Sequence, residues 1–236
     1  MAATQREVLD GKGFVELLET FGDDLTVVNA ARVSFAKESS VMEERDKKLI
    51  KYLAQHNHIT PFFHPQLRFR LKMPIYVARE WFRHTVGFAR NEVSRRYVDD
   101  PPEFYLPPVD SMRERDKNIK QGSLGSSIEE AAHFRDKMKK FQREAADLYW
   151  ELIEEGKLAP ELARGILPQS MYTEFIETGS LSAYSRLCSL RLDPHAQAEI
   201  RAYAAVVSEL IKERFPVCWN ALHPDNTIEQ NPPILA

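Results

Sequence analysis

Between Gln66 and Met73 every second residue is apolar: Leu67, Phe69, Leu71 and Met73 alternate with Gln66, Arg68, Arg70 and Lys72. A period of two puts the apolar side chains on one face of an extended strand and the cations on the other. A strand covered on one face belongs to an antiparallel sheet, because parallel sheets are covered on both. The pattern therefore predicts a sheet with one apolar and one basic face, and the remaining elements must cover the apolar side.

Gly13 to Phe21 reads as a second strand, and Asp24 to Phe35 as a helix entered from an Asp23-Asp24 cap. Ser40 and Glu43 form an S-x-x-E capping box before a helix carrying Met42, Leu49, Ile50 and Leu53. Pro74, whose missing N–H costs nothing in a first helical turn, opens a helix from Ile75 to about His84. Residues 99–126 hold Pro101-Pro102, Pro107-Pro108, Gly122, Gly125 and a charged stretch, and are expected to form a surface loop within one domain. Ser127 and Glu130 make a second capping box ahead of the longest helix. Its Ala131, Phe134, Met138, Phe141, Ala145, Leu148 and Leu152 recur every three or four residues up to Gly156, a stripe suited to core or subunit interface. Further helices are expected over Pro160 to Leu167, over Leu181 to Leu190, and from Asp193-Pro194 onward, the last presenting Ile200, Tyr203, Val207 and Leu210. Strands and helices without βαβ alternation make this α+β, an antiparallel sheet flanked by helices in a single domain over residues 1–236.

The net charge of −3 excludes a globally basic nucleic-acid coat. Locally the balance differs: His64 to Tyr97 holds eight basic and two acidic residues, a surplus of +6 that leaves −9 elsewhere. Cys188 and Cys218 stand far apart with no C-x-x-C spacing, which suits two small buried hydrophobes in a reducing cytoplasm. The longest apolar run, Ala202 to Val207, is six residues, and the N-terminus lacks an apolar signal region, so no membrane span or secretory leader is expected. Dinucleotide-binding G-x-G-x-x-G, P-loop and G-x-S-x-G motifs are absent. His56, His58 and His64 lie close together, but no Asp, Glu or Cys joins them at a ligand spacing, and no metal is expected.

Functional groups are densest from Arg83 to Tyr97, where Arg83, His84, Arg90, Asn91, Glu92, Ser94, Arg95 and Arg96 combine forked cations suited to phosphate with partners for a nucleobase edge. By itself such a run is more often a solvated basic face than a site, and a nucleic-acid surface over residues 64–97 is the alternative of a different class. A second cluster, Arg164, Arg186, Arg191 and His195, adds the makings of a polyanion site.

In order along the chain, Gly13-Phe14-Val15-Glu16-Leu17, Ala30-Ala31-Arg32-Val33-Ser34, His58-Ile59-Thr60-Pro61-Phe62-Phe63-His64, Trp81-Phe82-Arg83-His84, Asn91-Glu92-Val93-Ser94-Arg95-Arg96-Tyr97 and Arg191-Leu192-Asp193-Pro194-His195-Ala196-Gln197 resemble the flavin-dependent thymidylate synthases. The resemblance implies a homotetramer with FAD at subunit interfaces. It implies conversion of dUMP to dTMP with methylene-tetrahydrofolate as carbon donor and NADPH as reductant, without a cysteine nucleophile. By position, Arg83, Glu92, Ser94, Arg96, Arg164 and Arg191 would hold dUMP, with Glu80 beside them. Ser94 would lie near the reactive carbon as an orienting residue. Ser34, Thr60, His84, Ser180, Ser182, Arg186, Leu190 and His195 would contact FAD, and His58 would stand where folate and nicotinamide enter.

The chain departs from the family pattern in ways that bear on function. The usual R-H-R is Arg83-His84-Thr85, and one extra residue precedes Ser94; Arg90 is expected to fill the space of the missing arginine as a cofactor contact. Phe63 replaces a common Glu. Glu80 replaces a Gln that contacts the nucleotide, and either adds negative charge there or pairs with Arg79 or Arg83. These departures leave open a same-fold flavoprotein with altered substrate or lost turnover.

Overall fold

The computed structural model describes residues 4–115 and 123–224 of the chain. Its strands are β1 (Thr4–Val8), β2 (Gly13–Phe21), β3 (Gln66–Pro74), β4 (Phe88–Glu92), β5 (Arg113–Arg115), β6 (Ser123–Ser127) and β7 (Tyr172–Ser180). Its helices are α1 (Asp24–Arg32), α2 (Glu44–Gln55), α3 (Ile75–Trp81), α4 (Ala131–Glu154), α5 (Pro160–Ala163), α6 (Leu181–Arg191), α7 (Ala198–Arg214) and α8 (Pro216–Leu222). Five strands form one antiparallel sheet in the order β1-β2-β3-β7-β4, and β5 pairs with β6. The architecture is α+β, as the mix of strands and helices without βαβ alternation predicts, and its sheet is antiparallel, as the alternation in β3 predicts.

Leu67, Phe69, Leu71 and Met73 are all fully buried, beneath a helical layer in which α7 packs on β2, α3 and α6. The opposite face is basic only in sequence. Arg68 pairs with Glu19 at 3.0 Å, Arg70 with Glu174 at 2.5 Å and Glu16 at 3.8 Å, and Lys72 with Glu103. Partly exposed pairs of this kind add little stability. They do consume three of the eight cations that made the local surplus, so that surplus is not one phosphate-binding face.

Several expected boundaries are corrected. Residues Thr4 to Val8 form a strand, and so do Phe88 to Glu92 and Tyr172 to Ser180; none of the three shows apolar alternation. In β7 the inward positions Glu177 and Gly179 break it. Gly179 is there because a Cβ would come within 2.5 Å of the Phe88 ring, so the tight β4–β7 contact needs glycine. The cap of α1 is Asp23, whose carboxylate accepts from Thr26 N at 3.0 Å, as expected. Ser40 does not cap α2; Glu43 precedes it and its N–H donates to Asp46 at 2.9 Å. Nor does Ser127 cap α4: it ends β6 and donates its hydroxyl to the Val109 carbonyl at 2.8 Å.

The helix opened after Pro74 stops at Trp81, short of His84. The Pro160 segment is one helical turn, α5, followed by a 3₁₀ turn over Arg164–Ile166. Asp193 makes a local turn, accepting from His195 N at 2.8 Å, and the last long helix therefore begins at Ala198. The stretch 99–115 is not a plain surface loop. Glu103 O accepts from Tyr172 N and Ser170 O from Tyr105 N, each at 2.8 Å, while Gln142 clamps the Tyr105 carbonyl at 2.9 Å. Of the rest of that expected loop, residues 116–122 lie outside the described residues and 123–126 belong to β6, which pairs with β5.

Candidate functional site

The C-terminal ends of α3 and α6 meet beside the turn, residues 82–87, that leads into β4. There Arg191, the last residue of α6, donates from Nη1 to the Glu80 carboxylate, from Nη2 to the Glu80 carbonyl at 3.3 Å, and from Nε to Nε2 of His84 at 2.9 Å. The expected pairing of Glu80 with Arg79 or Arg83 is thus replaced by one with Arg191, the last residue of α6, which Glu80 meets from the last turn of α3. Burial pulls the His84 pKa down to about 4, helped by the charges of Arg191, Arg90, Arg186 and Arg83. His84 is neutral at physiological pH, and since Nε2 accepts from Arg191, its proton sits on Nδ1. Four guanidinium groups lie close enough to this half-buried, uncharged imidazole to act on it, two of them already paired with the carboxylates of Glu80 and Glu177.

That turn is tied down from α6. Arg186 donates to the Val86 carbonyl at 2.6 Å, with its guanidinium 5.6 Å from the Phe63 ring centre. Gly87 takes the left-handed φ of +82° and lies close against Ser180 and Ala183, where a side chain would be crowded. Ser180 is buried and serves α6 as its N-cap, accepting from Ala183 N at 3.1 Å; Ser182 is buried in the first turn. Arg90 on β4 pairs through Nε with Glu177, a carboxylate with no exposure that also receives the Trp81 indole N–H at 3.2 Å. The rings of Phe88 and Phe82 lie 4.7 and 5.3 Å from the Arg90 guanidinium. Its Nη2 is buried and has no hydrogen-bond partner among the described residues.

At the far end of β4, Thr173 donates to Glu92 at 2.6 Å, and Ser94 Oγ receives the N–H and Nε–H of Arg96 at 3.4 Å each. Arg95 turns away to the Asp100 carbonyl and the Tyr149 ring. Arg164 donates to the Glu161 carbonyl at 3.4 Å and is otherwise exposed. Ser34, Thr60, His58 and Leu190 lie at the surface, and His195 pairs locally with Asp193 at 2.9 Å. The structure thus joins Glu80, His84 and Arg191 by hydrogen bonds and sets Arg83, Arg90 and Arg186 near enough for their charges to act on His84. No hydrogen bond or ion pair among the described residues links Ser94, Arg96, Arg164, Ser34 or His58 to that group. Sequence reasoning missed Glu177, which holds Arg90, Trp81, which donates to Glu177, and Thr173, which holds Glu92. A Glu at an inward strand position was the only available signal. Among the described residues no group of three or more His, Cys, Asp or Glu is arranged to hold a metal ion, and no helix is long and apolar enough to cross a membrane.

Comparison with known proteins places this geometry. A family model described as thymidylate synthase complementing protein matches residues 16–217. A flavin-dependent thymidylate synthase of Thermus thermophilus is 43% identical over 214 residues, covering 91% of this chain and 76% of that protein. One from Thermosipho africanus is 40% identical over 216 residues, covering 91% and 92% respectively. Among solved structures, the UMP/dUMP methylase PolB of Streptomyces cacaoi bound with 5-Br dUMP superimposes with a TM-score of 0.82 at 29% identity, over 94% of this chain and 99% of that one. The chain belongs to the flavin-dependent thymidylate synthase family.

Proposed function

We propose that the protein methylates dUMP to dTMP, taking the carbon from methylene-tetrahydrofolate and the reducing equivalents from NADPH through FAD. The convergence of Arg83, Arg90, Arg186 and Arg191 on neutral His84 carries this reading, because it concentrates cationic donors where a nucleotide and a dinucleotide could be gripped together. The similarity to a methylase bound with 5-Br dUMP supports dUMP as substrate.

The residues present fit a flavin dinucleotide. Its phosphates and ring carbonyls are hydrogen-bond acceptors, and this site offers donors: the buried unpartnered Nη2 of Arg90, the Nδ1–H of His84 and the exposed Arg186. Arg90, His84 and Arg186 would hold it, joined at the surface by Ser34, Thr60, Leu190 and His195. Ser180 and Ser182 stand beside them as contacts already committed to capping and packing α6. Reduced FAD supplies the electrons that convert the transferred carbon to a methyl group.

On the protein's side, Arg191 orients and polarises the pyrimidine through its N–H groups, while Arg83, Arg96 and Arg164 meet the phosphate. Glu92 and Ser94 hydrogen-bond the nucleotide. Ser94 has no base within hydrogen-bonding reach among the described residues, which favours an orienting over a nucleophilic role. Burial pushes both cysteine thiols well up, and Cys188 and Cys218 lie in the core, which supports chemistry without a cysteine nucleophile. His58, exposed, is placed to meet folate or nicotinamide.

A homotetramer with sites at subunit interfaces is supported by α4, whose Phe134, Met138, Phe141 and Leu148 are all exposed along one stripe. The ion-paired face of β3 counts against a nucleic-acid surface over residues 64–97. A cytoplasmic setting suits the free thiols. The test is dTMP formation by the purified, FAD-reconstituted protein from dUMP, methylene-tetrahydrofolate and NADPH, with UMP run in parallel. Product from dUMP is expected, and a flavin-loaded protein that yields none overturns the reading.

A further inference from the structure

Arg191 and Glu80 are 111 residues apart in sequence, and their contact is more than an ion pair. Three donors of the guanidinium are engaged: Nη1 on the Glu80 carboxylate, Nη2 on the Glu80 carbonyl at 3.3 Å and Nε on His84 at 2.9 Å. A guanidinium carries five N–H groups, so one remains on each terminal nitrogen. Three attachments fix the plane and the direction of a side chain that otherwise samples many rotamers. His84 can serve as one of them because it is uncharged.

We infer that Glu80 is a positioning residue for Arg191: it fixes the guanidinium so that its two remaining N–H groups face the pyrimidine nucleotide, and it makes no contact with the nucleotide itself. The inference rests on dUMP being the substrate. It reverses the plain expectation for a carboxylate beside a phosphate ligand. A bare carboxylate there would repel the nucleotide. Glu80 is neutralised by Arg191, and with His84 it presets the guanidinium, sparing the nucleotide the entropy of ordering it.

The two roles predict opposite signs for Glu80→Gln. If Glu80 faced the nucleotide as an anion, removing its charge would tighten dUMP. If it holds Arg191, an amide gives a weaker, uncharged attachment and dUMP binds less well. The experiment titrates dUMP calorimetrically into the flavin-loaded, full-length protein as wild type, Glu80→Gln, Glu80→Ala, Arg191→Ala and the Glu80→Ala/Arg191→Ala double variant. FAD affinity is read separately from flavin fluorescence.

Loss of dUMP affinity by about tenfold or more is expected in Glu80→Ala, and a smaller loss in Glu80→Gln. FAD affinity should stay within about twofold, and once Arg191 is gone Glu80→Ala should cause no further loss and regain part of it, because the bare carboxylate is removed. Nitrogen NMR of His84 supplies a ligand-free reading: the acceptor signature at Nε2 should weaken in Glu80→Ala. Unchanged or tighter dUMP binding in Glu80→Gln overturns the inference, as do additive losses in the double variant. Wild-type protein that binds FAD but not dUMP overturns the functional reading instead, and the inference with it.

Discussion

Replacing Arg90 by methionine isolates the buried charge pair that joins β4 to the rest of the sheet. Glu177 is fully buried, and the Arg90 side chain is 15% exposed between two phenylalanine rings. Methionine keeps the apolar stem against those rings while removing the charge. Glu177 is then left with the neutral donors of Trp81 and Tyr184 and no cation. Breaking one side of a buried pair costs about 3–5 kcal/mol. For a chain of 236 residues that is a fall of roughly 10 °C in thermal midpoint.

The sign with pH is also fixed. Burial already raises the Glu177 pKa, and Arg90 is the largest influence pulling it back down. Without Arg90 it rises further, so the variant binds a proton that the unfolded chain has released. Its deficit relative to wild type therefore grows as pH increases above the ordinary carboxylate range. The Arg90→Met/Glu177→Leu double variant, with no buried charge left, should regain most of the loss. Circular dichroism melts at pH 5.5 and 8 on all the variants check this. A double variant as unstable as the sum of the singles, or a deficit that shrinks with rising pH, refutes the reasoning.

Acid should also weaken the wild type. Burial holds His223 down to about 4 from an unfolded value near 6.5, so stability is full above pH 6.5 and is lost as pH falls toward 4. Those two and a half units amount to about 3 kcal/mol, and His223→Gln should flatten urea-measured stability between pH 7 and 4.5. Gly179→Ala forces a methyl against the Phe88 ring, and about 1–3 kcal/mol of overpacking is expected, read as a lower urea midpoint. Ser180→Ala removes a helix cap and should cost about 1 kcal/mol with or without FAD; a loss seen only in the flavin-loaded protein would assign that hydroxyl to the cofactor instead.

How much of this was legible in the chain depended on whether a residue's partner lay nearby. The alternation of β3 and the stripe of α7 report burial directly, since each apolar residue repeats with the period of its own element, whereas the equally regular stripe of α4 leaves Phe134, Met138, Phe141 and Leu148 exposed. Strand β7 hid because its inward Glu177 is balanced by Arg90, 87 residues away, so a charge stands where the pattern expects an apolar residue. The two false capping boxes had the right residue types, but Ser127 was drawn into a strand pair and Asp46 served Glu43 and Arg32. At the site, the family's residue order located Arg83, His84 and Arg191. That Glu80 reaches across to Arg191 is a property of how α3 and α6 end, which no local spacing encodes.

The most direct test of a nucleotide site built around Arg191 and His84 is a pair of titrations on wild type and Arg191→Ala, one with dUMP and one with FAD. Truncating Arg191 leaves Glu80 and the nucleotide without their shared partner, at a cost of about 2–5 kcal/mol. The dUMP dissociation constant should rise by a factor on the order of a hundred while FAD binding changes by less than about threefold. Equal losses of both ligands, or a dUMP affinity that does not move, would contradict the assignment.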